Sequence, residues 1–475
     1  MSQNRRQFMK KSFSLTAAGA LLSNTSCVSE VRQKNEKIAK AKNVLFIIIE
    51  DLRDGVLGCY NSPVVKTPNI DKLAEKSVLF TKAYCQFPVC NPSRSSFLTG
   101  LRPDTTGILD NVKPLFHEHP NIVTLPGVFK SSGYYTARLG KVFHGSGKHD
   151  DPHAWVETFD LGDDKIAKQG TGRNLTGGKV KWCRWLAAEG QDFNHSDGKL
   201  ALKAIELLSK KRDRNFFIAL GFHKPHDPFI APKKYFDMYP PEEIIPPHVP
   251  SDGTKELEVI FGSGWKKAFD AFSEKEKKEF LRAYYACTSF TDAQVGKVLD
   301  ALDRQDLWKD TVVILMGDHG YNLGEHDWWN KSVLYDHSCR VPLTLYAPGE
   351  TAEGKICRSF IESLDIFPTI TDICGLTSPG NLEGISFRPL LKDPSQDWKI
   401  AAYTQVQRGD AKGYSVRTKR WRYTEWDYGK AGAELYDHNN DPDEYYNLID
   451  KPGLENVIRR HKELLYAKDK KRICH

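Results

Sequence analysis

Three continuous apolar segments stand out along the chain, and each is followed by polar residues. They cover residues 44–49, 216–220 and 311–316. An apolar run without alternation predicts a strand that is buried on both faces, as in a parallel sheet. Between the second and third segments, residues 279–302 carry apolar side chains at helical spacing. Strands that alternate with helices predict an α/β fold, with a mostly parallel sheet flanked by helices.

The predicted strands are followed by ionisable residues. Glu50 and Asp51 follow the first strand, residues 223–226 (His-Lys-Pro-His) follow the second, and Asp318 and His319 follow the third. In open α/β sheets, ligands bind at the carboxyl ends of the strands. We therefore expect these groups to meet at one edge of the sheet. Taken alone, an Asp-His pair after a strand is a weak signal for a metal.

The pattern changes after about residue 379. Residues 400–406, 413–417 and 420–426 favour short antiparallel strands with aromatic content, and residues 454–467 favour a closing helix. We therefore predict a catalytic domain over residues 43–379 and a smaller antiparallel C-terminal subdomain over residues 380–475. A chain of 475 residues is long enough for both.

The first 42 residues belong to neither of these parts. Arg5 and Arg6 begin a pattern that resembles a twin-arginine signal, and residues 13–22 form an apolar stretch too short to span a bilayer. We predict an export signal over residues 1–27 and a polar linker over residues 28–42. The protein is then expected in the periplasm, or anchored at the outer membrane as a lipoprotein.

Cys27 stands where a lipoprotein cysteine would follow the signal. The residues before it, Asn-Thr-Ser, match the usual small apolar lipobox poorly. A lipid anchor and an unpaired thiol in a leader therefore both stay open. The ten cysteines are irregularly spaced and form no C-x-x-C pair, which argues against a disulfide scaffold and a structural zinc site.

The formal net charge of +7 raises the question of nucleic-acid binding. Residues 1–26 carry four of the basic side chains and no acidic one, so the rest of the chain is nearly balanced. The sequence has no basic stripe with interleaved aromatic residues. We therefore predict that the protein does not bind nucleic acid.

Residues 90–100, Cys-Asn-Pro-Ser-Arg-Ser-Ser-Phe-Leu-Thr-Gly, form the most informative stretch. Pro92 and the serines after it predict a helix with Cys90 at its N-terminus. Free N–H groups and the helix dipole make that position favourable for an anion, and Arg94 adds a cation one turn into the helix. A buried structural thiol is the usual explanation of a lone cysteine, but these surroundings favour a reactive one.

The pattern C-x-P-S-R-x-x-x-L-T-G resembles the signature of type I sulfatases, whose cysteine is converted to formylglycine. Other stretches resemble iduronate-2-sulfatase-like members of that family, and they follow in order at residues 101–106, 141–144, 223–226, 317–320, 323–326 and, more weakly, 434–437. The resemblance implies an alkaline-phosphatase-like fold. It also implies a sulfuric ester hydrolase that removes sulfate from a carbohydrate.

The resemblance further implies a divalent metal. Its ligands would be Glu50, Asp51, Asp318, His319 and an oxygen of the modified Cys90. Hard oxygen ligands favour calcium, with magnesium as the alternative. The family usually has Asp where this chain has Glu50, so Glu50 is the ligand in doubt.

The resemblance also assigns the catalytic groups. Formylglycine hydrates to a gem-diol, of which one hydroxyl attacks sulfur and the other then expels the sulfate. Lys141 and Lys331 would hold the sulfate oxygens and the nucleophile, beside the fixed cation of Arg94. His144 would deprotonate the second hydroxyl, and His226 would protonate the leaving sugar oxygen.

The substrate implied by the resemblance is a sulfated oligosaccharide or polysaccharide that contains uronic acid, cleaved in an exo fashion. Glycosaminoglycans and ulvan both fit. A formylglycine-generating enzyme is the implied maturation partner. Two alternatives stay open, a phosphate or phosphonate monoester hydrolase of the same superfamily and a non-catalytic relative that binds sulfated glycans.

Specificity is expected to come from the loops at residues 103–120 and 228–265. Trp328 and Trp329 are either platforms on which a sugar stacks or aromatic core residues.

Overall fold

The computed structural model of the chain describes residues 43–210, 213–261 and 264–467. The predicted export signal at residues 1–27, with Cys27, and the predicted linker at residues 28–42 lie outside the described residues and stay predictions. Within the described ranges, no helix is long and apolar enough to cross a membrane.

Sixteen strands occur in the described part of the chain. They are Asn43–Ile49 (β1), Val78–Tyr84 (β2), Tyr135–Gly140 (β3), Glu157–Phe159 (β4), Gly170–Asn174 (β5), Arg184–Ala188 (β6), Phe216–Phe222 (β7), Phe229–Pro232 (β8), Thr311–Gly317 (β9), Arg340–Tyr346 (β10), Lys355–Cys357 (β11), Ile361–Glu362 (β12), Ala401–Arg408 (β13), Ala411–Thr418 (β14), Trp421–Trp426 (β15) and Ala433–Asp437 (β16).

Thirteen α-helices accompany them in the same described ranges. They are Pro68–Lys76 (α1), Cys90–Thr99 (α2), Pro103–Thr106 (α3), Leu115–Glu118 (α4), Leu125–Ser131 (α5), Ser196–Ser209 (α6), Lys233–Phe236 (α7), Lys266–Phe269 (α8), Glu274–Arg304 (α9), Asp336–Cys339 (α10), Ile366–Cys374 (α11), Pro389–Lys392 (α12) and Glu455–Ala467 (α13).

The largest sheet has the strand order β11-β2-β10-β9-β1-β7-β3-β4, and β12 also pairs with β2. Each pair of neighbours is parallel except at β10, which runs antiparallel to both β2 and β9. The three apolar segments are β9, β1 and β7, side by side with β1 between the other two. The predicted α/β fold with a mostly parallel sheet is therefore confirmed.

Strand β1 explains why its sequence lacks alternation. Alternate side chains enter two different cores, one with Leu45, Ile47 and Ile49 and the other with Val44, Phe46 and Ile48. The first core is covered by α1, α6 and α9, and the second by α2, α5 and α11. Burying each of these side chains contributes roughly 1.5–3 kcal/mol, so positions 44–49 are all apolar, and the strand ends at Ile49.

The longest helix, α9, extends beyond the predicted residues 279–302 at both ends. A capping box begins it, in which Ser273 and Glu276 each accept from the other's backbone N–H. The first turns after this cap are polar and charged, so hydrophobic periodicity did not reveal them. The predicted helix is confirmed, and its true start is set by the cap.

The C-terminal sheet is an antiparallel meander with the order β13-β14-β15-β16. Its first three strands and the closing helix α13 confirm the predicted small antiparallel part. Strand β16 was not predicted, because its residues were interpreted only as a family motif. The boundary at residue 379 stays a prediction. A third sheet, with the order β5-β6-β8, completes the fold.

The C-terminal sheet is attached close to the start of helix α2. Gln405 N donates to Gln86 O at 2.9 Å, and Thr404 Oγ1 donates to Cys85 O at 2.8 Å. These bonds bring the β13–β14 hairpin beside the segment that leads to Cys90.

Candidate active site

Four neighbouring strands, in the order β9-β1-β7-β3, deliver the predicted site residues to one edge of the large sheet. Asp318 follows β9, Glu50 follows β1, and Lys141 follows β3. The end of β3 approaches β7 so closely that a Cβ on Gly221 would lie 1.9 Å from Lys141 O. Only glycine fits at that position.

Helix α2 supplies the predicted nucleophile. It begins at Cys90, as the sequence predicted, and Cys90 is 1% exposed. Its Sγ lies 3.1 Å from Lys331 Nζ, 3.2 Å from Glu50 Oε1 and 3.4 Å from His319 Nε2. The thiol is therefore in contact with groups from three separate segments of the chain.

The charge around Cys90 favours its ionised form. Burial alone would raise the pKa of the thiol, but Lys331 and Lys141 lower this pKa well below its usual value. Hydrogen bonds with His144 and His226 act in the same direction. The position is electropositive and stabilises an anionic sulfur or oxygen at this atom.

Four of the predicted metal ligands form one group. The ligand atoms of Asp51, Cys90, Asp318 and His319 all lie within 4.8 Å of one another. Asp51 has a positive φ of 59°, which turns the chain sharply after β1. Asp318 Oδ1 accepts hydrogen bonds from Asp51 N and from His319 N, both at 3.0 Å. The two acidic loops are thus fixed against each other.

One oxygen at this group has no donor. Asp51 Oδ2 is fully buried and accepts no hydrogen bond from any described residue. His319 Nδ1 is bound to Gly320 O at 2.9 Å, which leaves Nε2 directed at Asp51 and Cys90. A buried carboxylate oxygen without a donor is costly, and an imidazole oriented through its other nitrogen is typical of a metal ligand. These residues therefore fit a divalent cation.

Glu50 lies in a second, overlapping group with Asp51, Cys90 and His226. It pairs with Lys141, and its Oε1 lies 3.6 Å from His226 Nε2. Burial would raise the pKa of Glu50, but His226 and Lys141 lower it to about 2. Glu50 is therefore an ionised carboxylate beside the metal group, held by a lysine.

Arg94 and Lys331 form ion pairs with the carboxylates of the metal group. Arg94 Nε lies 3.0 Å from Asp318 Oδ2, and the same guanidinium donates to the carbonyl oxygens of Lys141 and Val142. Lys331 Nζ lies 2.5 Å from Asp51 Oδ1. The fixed cation that the sequence predicted at Arg94 thus orients Asp318 and the Lys141 segment.

His226 has one nitrogen bound and one directed into the site. Its Nδ1 is hydrogen-bonded to Asp227 O, while its Nε2 lies 3.6 Å from Glu50 and 4.0 Å from Asp51. Burial would lower the pKa of His226, but Glu50 and Asp51 raise it to about 10. Lys224 Nζ donates to His226 O at 2.9 Å and so anchors the segment. The two carboxylates therefore favour the protonated form of His226, in which Nε2 is a donor directed into the site.

His144 lies in the segment after β3 and is hydrogen-bonded with the Cys90 thiol. Its Nδ1 is buried and has no hydrogen-bond partner among the described residues. Its ring packs edge to face against His149, with the ring centroids 5.3 Å apart.

One contact of the metal group was not indicated by any sequence pattern. Tyr284, on the buried face of α9, donates its hydroxyl to Asp51 O at 2.5 Å and accepts from Arg53 N at 3.1 Å. A tyrosine at helical spacing is usually a core residue, so nothing in the sequence indicated this contact.

Trp328 and Trp329 are each 1% exposed and pack against phenylalanines. They belong to the aromatic core, and the sugar-platform alternative is wrong.

A second cluster of ligand-type residues lies between α10 and the C-terminal sheet. The ligand atoms of Asp336, His438 and Glu444 also lie within 4.8 Å of one another. Arg422 pairs with Asp336 and with Glu444, both at 2.5 Å. Arg340 approaches Asp336 at 3.2 Å.

The sequence matches two family models. The one described as Sulfatase matches residues 42–376. The one described as N-sulphoglucosamine sulphohydrolase, C-terminal, matches residues 324–471.

Individual relatives match along most of the chain. Iduronate 2-sulfatase of Mus musculus is 32% identical, over 86% of this chain and 89% of its own length. An ulvan-active sulfatase of Formosa agariphila is 29% identical, over 93% and 83%. The solved structure of a phosphonate monoester hydrolase of Agrobacterium radiobacter is similar in fold. Its TM-score is 0.74 at 22% identity, covering 90% of this chain and 95% of that one.

Proposed function

The chain belongs to the sulfatase family, and from this premise we propose that it removes sulfate from a carbohydrate with an oxidised Cys90 as nucleophile. The observation that carries the proposal is the contact of the Cys90 sulfur with Lys331 and His319, at 3.1 Å and 3.4 Å. A reactive atom at position 90 therefore has the Lys331 ammonium group beside it and lies next to the group of metal ligands.

Formylglycine at position 90 would supply two hydroxyls on one carbon, one to attack sulfur and the other to release the sulfate afterwards. Lys331 and Lys141 flank this atom and hold the charged oxygens of the ester as point charges. His226 carries the proton for the leaving sugar oxygen on Nε2. His144, whose Nδ1 is without a partner among the described residues, accepts the proton of the second hydroxyl.

We propose calcium as the cation, with magnesium as the alternative. Asp51, Asp318 and His319 would hold it together with the modified Cys90, and Glu50 would complete the set. The donors are oxygens and one imidazole, a combination that hard divalent cations accept. The bound cation would stabilise negative charge on the ester oxygens.

The proposed substrate is a sulfated sugar in a uronic-acid-containing polysaccharide or its oligosaccharides, cleaved in an exo fashion. The names of two relatives, iduronate 2-sulfatase and ulvan-active sulfatase, support this class and leave glycosaminoglycan and ulvan both open. We further propose maturation by a formylglycine-generating enzyme, and export to the periplasm or the outer membrane with Cys27 as the residue for a lipid anchor.

The central test measures the state of residue 90 together with activity. We expect mass spectrometry of the peptide that contains Cys90 to show an aldehyde in place of the thiol after expression with a maturing enzyme. Protein expressed without that enzyme is the control, and it should carry the thiol and have little activity. Full turnover by protein that contains only unmodified Cys90 would contradict the proposal.

The phosphonate monoester hydrolase that shares the fold makes ester specificity a separate question. We expect nitrophenyl sulfate to be cleaved with a higher kcat/KM than nitrophenyl phosphate or a phosphonate monoester. The reverse order would favour the phosphate or phosphonate alternative. Binding of sulfated glycan without turnover by matured protein would favour a non-catalytic relative.

The role of His226 has its own test. A sugar alkoxide is a poor leaving group, so loss of the proton donor should cost about 10²–10⁴-fold in rate. His226→Ala should slow hydrolysis of a sugar sulfate far more than hydrolysis of nitrophenyl sulfate, because nitrophenolate leaves without being protonated. His144→Ala is the matched comparison and should slow both substrates. Equal losses on both substrates in His226→Ala would assign the proton to another residue.

A further inference from the structure

Arg408, at the end of β13, is a half-buried cation without a counter-ion among the described residues. Its guanidinium donates to Ile260 O at 3.1 Å and to Gln407 O at 3.0 Å, and approaches Ser332 Oγ at 3.4 Å. Across the described residues, no carboxylate lies within ion-pair distance of it, and its Nη2 has no hydrogen-bond partner. Burial lowers the pKa of Arg408 to about 10, and no neighbouring charge opposes the shift.

Three arginines that are more deeply buried each have a carboxylate partner. Arg53 pairs with Glu325 at 2.8 Å, Arg94 with Asp318 at 3.0 Å, and Arg422 with Glu444 at 2.5 Å. A charged group withdrawn from water without a partner is unfavourable. Arg408 therefore has a free pair of donors suited to an anion from outside the protein.

The position of Arg408 relates it to the active site. Ser332, which its guanidinium approaches, directly follows Lys331, and Ser332 N donates to Pro88 O at 3.0 Å, two residues before Cys90. Lys331 Nζ contacts the Cys90 sulfur. The guanidinium thus approaches the sequence neighbour of Lys331, whose ammonium group lies at the reacting atom.

The same hairpin contacts both loops that were expected to set specificity. Arg408 is bound to Ile260 in the loop at residues 228–265. On the next strand, Lys412 Nζ and Tyr414 OH bind the carboxylate of Asp104, at 3.3 Å and 2.9 Å. Asp104 lies in α3, within residues 103–120, which the sequence predicted to be a specificity loop. The β13–β14 hairpin therefore joins the two loops beside the nucleophile segment.

We propose that Arg408 binds a second anionic group of the substrate, a sugar carboxylate or a second sulfate, next to the sulfate ester that is hydrolysed. This inference rests on the proposed function and names one determinant of its specificity. The N–H groups of Nη2, which have no partner among the described residues, can donate charge-assisted hydrogen bonds to oxygens of a carboxylate or of a sulfate. Arg408 is a specificity residue, because it selects the substrate and takes no part in the chemical step.

The test compares two substrates that differ only in the second anion. They are a disaccharide with a sulfated uronic acid and the same disaccharide with its carboxylate converted to a methyl ester. For the matured, metal-loaded enzyme we expect KM to be about 10- to 100-fold higher for the methyl ester, since a hydrogen-bonded charge pair is lost. In Arg408→Gln the two KM values should be nearly equal. Because both KM values are measured on the same variant, their ratio is insensitive to a general loss of function caused by the substitution.

Three further measurements separate the outcomes. Arg420→Gln removes an arginine that pairs with Asp437 in the same C-terminal sheet, and it should keep the wild-type ratio. Arg408→Lys keeps the charge but loses the paired donors, and its ratio should be intermediate. A disulfated disaccharide compared with its monosulfated form reports whether the anion is a second sulfate.

An Arg408→Gln enzyme with wild-type ratios for both substrate pairs would overturn the inference. That result is distinct from failure of the proposed function, in which matured wild-type protein would release no sulfate from any of these sugars or from nitrophenyl sulfate.

Discussion

In the described part of the chain, ligand-type side chains lie within 4.8 Å of one another in two separate regions, around Asp51 and around Asp336, and these regions have opposite properties. Around Asp336 and Glu444, arginines supply the opposing charge, with Arg422 contacting both carboxylates at 2.5 Å. Around Asp51, Arg94 pairs with Asp318, but the cation nearest to Asp51 itself is Lys331, and one buried oxygen of Asp51 has no donor among the described residues.

The comparison shows that proximity of acids and histidines does not by itself identify a metal site. Arginine presents several donors in a fixed plane and can satisfy a carboxylate completely. A cation added to the Asp336 cluster would meet guanidinium groups. Lysine is a single point charge and leaves oxygen lone pairs available. The Asp51 cluster therefore has room for an ion, and the Asp336 cluster is a structural connection.

The largest effect should come from removing the oxygen that has no donor. We expect Asp51→Asn to lower the rate on the order of 10³-fold, because the stabilising charge of the cation is lost. The bound divalent ion, measured by elemental analysis of the purified protein, should be lost as well. Circular dichroism should show a folded protein. Wild-type metal content and rate in this variant would move the metal site away from Asp51.

The opposite cluster should respond in stability. Glu444→Gln leaves Arg422 and His438 without the carboxylate that lies 2.5 Å and 2.7 Å from them. Removing one partner of a buried pair costs about 3–5 kcal/mol, which denaturant unfolding would report. Glu463→Gln, in an exposed pair with Arg459, is the control and should change little. Loss of bound metal in Glu444→Gln, with the free energy of unfolding unchanged, would show that the Asp336 cluster is a metal site and not a structural connection.

A smaller effect is expected where a neutral group supports the metal loop. Tyr284→Phe removes the hydroxyl that binds Asp51 O at 2.5 Å, and Asp51 has a positive φ that needs such support. We expect metal affinity to fall about tenfold and the free energy of unfolding to fall by about 1 kcal/mol.

Tyr285→Phe is the matched control for Tyr284, because the ring of Tyr285 packs on Tyr239 and its position is one residue further along α9. It should leave metal affinity unchanged. A metal dissociation constant in Tyr284→Phe equal to that of the wild type would make Tyr284 a core residue only.

The smallest effect is expected at Glu50, where the family usually has Asp. Glu50→Asp keeps the negative charge beside Lys141. Mutation of a residue that supports a metal ligand typically lowers activity roughly tenfold or more, and we expect a smaller loss for Glu50→Asp. Glu50→Gln keeps the size and loses the charge, so it should be the more damaged of the two. A larger loss in Glu50→Asp would mean that the length of this side chain is essential here.

The sequence predicted those parts of the fold that a local pattern records. β1, β7 and β9 are unbroken apolar runs with acids or histidines after them, and α2 begins at a Cys-x-Pro pattern. The resemblance of these segments to the sulfatase family is confirmed. The structure brings together the predicted residues Cys90, Asp51, Asp318, His319 and Lys331, while their individual roles stay predictions.

The rest depends on contacts that no local pattern records. Tyr284 and Asp51 are 233 positions apart in the chain. Strand β10 inserts antiparallel between β9 and β2, and its sequence is no different from that of a parallel strand. The sequence could not single out Arg408, because the absence of a counter-ion among the described residues depends on all of its neighbours in space.

The attachment of Asp336 to Arg422 has a consequence for how the protein is made. The arginine comes 86 residues after the carboxylate, so a ribosome exposes Asp336 well before its partner. A carboxylate without its arginine stays in water, and the segment around α10 cannot complete its packing until the last strands emerge. A maturing enzyme of the proposed kind would have to reach Cys90, which is 1% exposed in the finished fold, before the segments around it have packed. The order of synthesis would then set the interval in which this residue can be chemically altered.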